Sequence, residues 1–209
     1  MLGVYVTVPI ACFRKGQARE FLETELLPPP STCYGFLLSL VGETDRRAHI
    51  GCRVTAVLLS HPATSVVLRT VWRVKKTPLG TPGNTRPDYQ QLLTDVRLVI
   101  WVHSSDNAQD RLEDRVSAAL TNPGDITRFG GLSLGESTHV VDEVCLLNRV
   151  KDRLTESGRT FLVAPKGRLT LPVWVDHVGS AGTRHATGNL EDSSLDPPPI
   201  EQMPRISPE

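Results

Sequence analysis

Leu26-Leu27-Pro28-Pro29-Pro30-Ser31-Thr32-Cys33-Tyr34-Gly35-Phe36-Leu37-Leu38-Ser39-Leu40-Val41-Gly42 carries three prolines into a hydroxyl pair and then into an apolar segment. Proline fixes φ and favours an extended approach. Ser31 or Thr32 is a natural helix N-cap, and Gly42 stands where a helix ends in a left-handed residue. Cys33, Leu37, Leu40 and Val41 mark one face and Tyr34, Leu38 and Val41 another, so the helix is apolar nearly all round and is expected to be buried, with the rest of the chain packed on it. Its N-terminus offers backbone N–H groups and the positive dipole end to a phosphate. A capped core helix without a ligand accounts for the same residues.

Outward from this helix the pattern is that of strands. Upstream, Leu2, Val4, Val6, Val8 and Ile10 alternate with Gly3, Tyr5, Thr7 and Pro9, the period of a strand with one buried face. Phe13-Arg14-Lys15 follows in the connection. Downstream, two β-branched runs at 54–60 and 65–74 flank His61-Pro62-Ala63-Thr64 and predict a hairpin. Residues 75–85 combine two lysines with Pro and Gly and predict an exposed, mobile loop. Arg86-Pro87-Asp88 resembles the cap of a short helix to residue 93, and 95–103 returns as a strand. Asp106 or Asn107 is placed to cap a second helix with Leu112, Val116, Ala119 and Leu120 on its buried face. Then come a glycine-rich loop from Phe129 to His139, a strand to Leu147, and a last hairpin of 161–164 and 169–175 turning at Pro165-Lys166-Gly167. From Gly179 apolar residues are rare and Pro197-Pro198-Pro199 sits among acids and serines. An extended polar tail over 179–209 is expected, held by a partner's surface.

Strand, helix, strand, strand, helix, strand is the order of a ferredoxin-like α+β sheet, shared with RNA recognition motifs. The 209 residues suit one large domain, and the 23 basic and 23 acidic residues balance overall but not locally. Residues 46–87 hold eight Arg or Lys and no Asp or Glu, a run that calls for an anionic partner or a long solvated face. Cys12, Cys33, Cys52 and Cys145 stand far apart without a CxxC and read as reduced thiols of a cytoplasmic protein. No stretch of about 18 apolar residues runs uninterrupted and no export signal precedes the first strand, so a membrane is not expected among the partners.

The six histidines show no metal-ligand spacing, and neither a metal nor a cofactor is expected. The glycine loop lacks the Lys-Ser/Thr ending of a phosphate-cradling loop and precedes a strand, which disfavours nucleotide hydrolysis. A general base assembled from His103 or His139 with Tyr89 or a lysine would serve a metal-independent ribonuclease. Each of these histidines reads first as a strand-end or loop residue. Binding remains: Arg14, Lys15, Arg73, Lys75 and Lys76 for phosphates, and Phe13, Trp72 and Tyr89 as stacking surfaces, with core packing equally open for Trp72. The absence of acids near the cations points to RNA.

Ala11-Cys12-Phe13-Arg14, the Pro28 to Gly35 motif, Val67-Leu68-Arg69-Thr70, Arg86-Pro87-Asp88-Tyr89-Gln90, the Gly130 to His139 loop and Leu171-Pro172-Val173-Trp174-Val175 together resemble the fifth CRISPR-associated protein family, in its type I-B and Myxococcus-type branch. The resemblance runs to about His177. It implies a RAMP fold over residues 1–178, with a thumb hairpin at about 69–94. It also implies a subunit of a Cascade complex that grips the 5′ handle of the guide RNA (crRNA), caps the backbone subunit and docks the large subunit. Target DNA is then reached indirectly, for antiviral defence or, with transposition proteins as partners, for guide-directed transposition. Carried over by position, the RNA contacts are Phe13, Arg14, Lys15, Ser31, Thr32, Tyr34, Arg69, Trp72, Arg73, Lys75, Lys76, Arg86, Tyr89, Gln90, Phe129, Gly130, Gly131, Leu134, Gly135 and Ser137. One branch of the family cleaves precursor RNA with a tyrosine and an adjacent Lys-His pair. This sequence has no such pair, which implies a non-catalytic holder of the product, with the metal-independent endoribonuclease as the alternative.

Overall fold

The computed structural model describes residues 1–16, 18, 20–72, 78, 81–105, 108–154 and 157–209, with the backbone alone at 71, 72 and 82. Strand β1 (Leu2–Ala11) is followed by the short pieces β2 (Phe13–Arg14), β3 (Phe21–Leu22) and β4 (Thr24–Glu25), then helix α1 (Pro30–Leu40). Strands β5 (Arg53–Leu58), β6 (Ala63–Trp72) and β7 (Thr85–His103) precede helix α2 (Leu112–Thr121). Strands β8 (Glu143–Leu146), β9 (Gly158–Val163), β10 (Leu169–Trp174) and β11 (Arg184–Ser193) complete the chain. The main sheet runs β10-β11-β9-β5-β7-β1-β8, with β6 and β3 attached to β7. Among the described residues no helix is long and apolar enough to cross a membrane.

Helix α1 starts one residue before the expected caps. Pro29 holds the N-cap position without a side-chain bond and Pro30 is the first helical residue, where its fixed φ is already helical and its missing N–H is not needed. The Pro29 carbonyl accepts from Thr32 and Cys33, so Ser31 and Thr32 lie inside the first turn instead of capping it. The end is as expected. Gly42 has φ +68, its N–H reaches the Ser39 carbonyl, and the Glu43 N–H reaches the Leu38 carbonyl, the paired bonds of a left-handed stop.

Alternation along the central strands sorts side chains into two cores. Val4, Val6 and Val8 of β1, Val54, Ala56 and Leu58 of β5, and Val96, Leu98, Ile100 and Val102 of β7 face α1 and α2. Tyr5, Val57, Leu59, Val99 and Trp101 face the other way, onto Leu147, Val150 and Met203. β1 is therefore covered on both faces, where its alternation predicts one.

Two strand pairings and one element differ from the sequence reading. β6 does not pair with β5; it pairs with β7 from Ala63↔Thr94 to Trp72↔Thr85, while β5 pairs with β7 and β9. The helix expected at 86–93 is the first half of the 19-residue β7, because that segment is bonded across to β6 and carries its buried positions at Asp88 and Gln90. β9 and β10 do not pair with each other, since β11 lies between them.

That insertion corrects the extended tail. The backbone of β11 is bonded on both edges, and beyond it Met203 and Ile206 are fully buried. Ile206 exchanges bonds with Gly51 and Cys52, and the Val54 N–H donates to the Pro204 carbonyl. Few apolar residues suffice because two large ones meet gaps on the sheet, at roughly 1.5–3 kcal/mol each for full burial. Helix α2 starts at Leu112 with Arg111 in the N-cap position, not the expected Asp106 or Asn107; those two, and 75–77, 79 and 80 of the loop expected at 75–85, lie outside the described residues.

Candidate nucleic-acid interface

A cleft of about 780 Å³ opens between α1 with the turn after it, the segment leading into the glycine loop, and the end of β10. α1 contributes Ser31, Thr32, Tyr34, Gly35, Phe36, Leu38 and Ser39, the loop Thr127, Arg128, Phe129, Ser133 and Gly135, and β10 with the residues after it Val173, Trp174, Val175 and His177. Gly42 brings these walls together. A Cβ there would press on the Thr127 carbonyl, so the stop that ends α1 also lets the loop approach it.

Arg46 is fixed on the wall: its guanidinium lies 4.4 Å over the Trp174 ring and donates to the Val175 carbonyl at 2.8 Å. A cation held on an aromatic face keeps its charge while losing little freedom. Arg128 and Phe129 are both exposed, Phe129 completely. Nothing lies within 4 Å of where a Cβ would stand at Gly130 or Gly131, so the backbone beside this ring is open to a ligand. The carboxylate of the cleft, Glu43, is bonded by Arg115 at 2.7 Å, and that bond with the Asp45 amide holds it below the usual carboxylate range. The Tyr34 hydroxyl donates to the Arg46 carbonyl at 2.8 Å, and burial pushes this phenol up, so it stays a neutral donor. The Ser31 Oγ is buried without a hydrogen-bond partner.

Of the residues expected to meet RNA, the fold brings Ser31, Thr32, Tyr34, Phe129 and Gly135 to this cleft, with Gly130 and Gly131 continuing from Phe129. Ser137 is exposed at the loop tip. Phe13 and Leu134 are core side chains, 2% and 0% exposed, so the expectation that Phe13 offers a stacking face is corrected. Arg14 donates to the Ala18 carbonyl and Lys15 pairs with Glu23.

The basic run is partly neutralised by acids from outside it. Arg69 pairs with Glu136 at 2.8 Å and also donates to Gln90, whose amide donates to the same Glu136 carboxylate. Arg86 pairs with Glu20 and Asp88. Tyr89 is exposed on β7, in register with Leu68 and Phe21. The side chain of Trp72 and all of Arg73, Lys75 and Lys76 lie outside the described residues.

Over 210 residues the chain is 53% identical to the CRISPR-associated protein Cas5 of Myxococcus xanthus (strain DK1622), covering 99% of this chain and 97% of that protein. The chain belongs to the Cas5 family. No family model matches it. Two solved structures share the fold. One, described as a CRISPR RNA-guided surveillance complex, aligns with a TM-score of 0.62 at 14% identity over 91% of this chain and 90% of its own. The other, described as a Cas protein, aligns at 0.52 and 15% identity over 100% and 99%.

In this Cas5-family chain the two histidines considered as bases are far apart. His103 follows Val102, which stands opposite Leu2 at the start of β1, and its Nδ1 lies 3.9 Å from Glu113. His139 bonds Cys12, past the end of the same strand. Ten residues of strand separate these ends, roughly 33 Å, so the pair does not share a site. Among the described residues no group of His, Cys, Asp or Glu could hold a metal ion. The cleft residues that sequence reading missed are Arg128, Trp174 and Arg46 as a pair, and His177. Arg128-Phe129 is a basic–aromatic pair abutting Gly130-Gly131, the same signal that drew attention to Phe13-Arg14.

Proposed function

We propose that this Cas5-family chain is a non-catalytic crRNA-binding subunit of a Cascade-type complex, gripping the 5′ handle of the guide in the cleft between α1, the glycine loop and β10. One observation carries the reading. Arg128 and Phe129 stand exposed at a cleft whose wall holds a fixed Arg46 and whose other side is the face of α1 from Ser31 to Ser39. Cations and amides neutralise phosphates, an exposed ring stacks a splayed base, and open glycine backbone admits the strand closely.

In this reading β5-β7-β1-β8 with α1 and α2 is the ferredoxin-like RAMP core, and the β6–β7 hairpin is the thumb. Arg73, Lys75 and Lys76 continue the grip on that thumb, which meets the backbone subunit. The large subunit docks alongside and carries target-DNA recognition. The same grip serves antiviral defence or guide-directed transposition, with transposition proteins as partners in the second. Cutting the precursor is left to a separate endoribonuclease, since the sequence has no adjacent Lys-His pair.

Binding of the intact chain to RNA bearing the handle, titrated at several salt concentrations, tests this. R128A/F129A is expected to weaken binding about tenfold to a hundredfold and to flatten the salt dependence; R73A/K75A/K76A is expected to act in the same direction. Incubation with precursor RNA in EDTA is expected to leave it uncut. Unchanged affinity of the first variant, whose side chains are exposed and cost the fold little, sinks the cleft assignment.

A further inference from the structure

One imidazole anchors the glycine loop to the first strand. His139 is 8% exposed, and its Nδ1 accepts the backbone N–H of Cys12 at 3.2 Å and that of Glu136 at 3.1 Å. Two donors on one nitrogen require its lone pair, so the proton sits on Nε2. The loop backbone closes over the ring: the Leu134 N–H donates to the His139 carbonyl at 3.0 Å, and the His139 N–H to the Glu136 carbonyl at 2.9 Å. Gly135, at φ +105, belongs to the same device, because a Cβ would stand 2.8 Å from the Cys12 carbonyl and 3.2 Å from Nδ1. Cys12 follows the end of β1, and Leu132 and Leu134 pin the loop into the core. The RNA-facing residues 129–131 thus connect to the body through a segment whose register depends on this acceptor.

We propose that His139 is the positioning residue of the glycine loop, and that its protonation frees the loop and weakens guide-RNA binding. The inference rests on the handle-binding reading above. Protonation places an N–H where two amide donors already point, so both bonds are lost together. The charges facing the ring are Glu136 from its own loop, which favours the imidazolium, and Arg69 from β6, which opposes it. Gln90 on β7 is neutral, and burial raises the Cys12 thiol, which stays protonated. Burial of the imidazole is the largest influence and lowers its pKa from 6.5. The neutral clamp is therefore complete above that value and is lost as pH falls through the lower, folded-state value. The direction is diagnostic: a histidine that merely contacts phosphate would strengthen RNA binding on gaining a proton.

The experiment compares wild type, H139N and H139A, all full length, binding handle-bearing RNA from pH 8 to pH 5 at constant salt. The Asn side-chain oxygen takes the place of Nδ1 as acceptor and does not titrate. Wild type is expected to lose about tenfold in affinity relative to H139N at the acid end, the scale of two hydrogen bonds. H139A is expected to be weak throughout, with no acid step. Superimposable pH profiles for wild type and H139N overturn the proposal. Hydrogen-exchange protection of the Cys12 and Glu136 amides, measured without RNA, gives a second readout. Acid is expected to lower it in wild type and not in H139N, and equal protection in both at every pH overturns the clamp. Absence of RNA binding at any pH would instead remove the handle reading and leave the exchange result to decide the clamp alone.

Discussion

The hairpin of β6 with the first half of β7 and the C-terminal segment from β11 to Ile206 are built from opposite material and meet opposite fates. β6 reads Ala-Thr-Ser-Val-Val-Leu-Arg-Thr-Val-Trp, yet every described side chain on it is exposed, with Val66 at 53% and Leu68 at 63%. β11 reads Arg-His-Ala-Thr-Gly-Asn-Leu-Glu-Asp-Ser, yet it occupies an interior place in the sheet, bonded to β10 on one side and β9 on the other. Apolar content measures what a segment gains from burial; whether it is buried depends on a place existing for it. β11 fills the gap between two strands whose edges would otherwise be open, and Met203 and Ile206 close gaps on both faces of β5. Among the described residues β6 pairs with β7 alone, and its apolar side chains stay exposed.

Deleting residues 203–209 is the strongest way to break this contrast. It exposes the sheet under Met203 and Ile206, removes the strand-like bonds from Gly51, Cys52 and Val54, and strips the Met203 carbonyl from the Arg53 guanidinium at 2.6 Å. Two fully buried side chains and several backbone bonds amount to about 5 kcal/mol, comparable with the whole stability of a small domain. Urea unfolding is expected to find the truncated chain largely unfolded without denaturant. A midpoint equal to that of the full chain would return the segment to the status of a loose tail.

A milder probe acts inside β11. Gly188 is buried, stands opposite both Leu169 and Val163, and has no room for a Cβ against the Leu162 carbonyl. G188A is expected to lower stability by about 1–3 kcal/mol, the usual cost of overpacking, read from the thermal midpoint. A silent substitution would mean that β11 lies more loosely between its neighbours than its register requires.

These two regions also explain what the sequence did and did not disclose. The alternation of β1, the left-handed stop of α1 at Gly42 and the buried face of α2 at Leu112, Val116 and Ala119 were readable because each depends on near neighbours. β7 was not, because its first half inverts the usual code: Asp88 and Gln90 point inward and Pro87 and Tyr89 outward, so polar residues hold the buried positions and the strand period is hidden. Charge was misleading for a related reason. The acid-free run from 46 to 87 looks unopposed along the chain, but Arg86 meets Glu20, 66 positions away, and Arg69 meets Glu136, 67 positions away. The cations that stay at the cleft include Arg128, outside that run altogether. Linear counting finds charge; only the fold says which of it is free for a phosphate.

The smallest effect on the isolated chain is expected at the hairpin, and it sharpens the contrast most. Leu68 and Tyr89 stand opposite each other in register, 63% and 56% exposed, with Phe21 next to Tyr89 on the far side. L68S/Y89S removes apolar surface that water already wets, so unfolding is expected to shift by less than about 0.5 kcal/mol. If that surface is covered in a complex, the same variant loses the burial term there. Co-purification with partner subunits and guide RNA is therefore expected to fall while the free chain stays as stable as before. A variant that unfolded early would mean that the hairpin's apolar side chains already pack within the chain. One that assembled normally would leave this row of exposed side chains without a role in assembly.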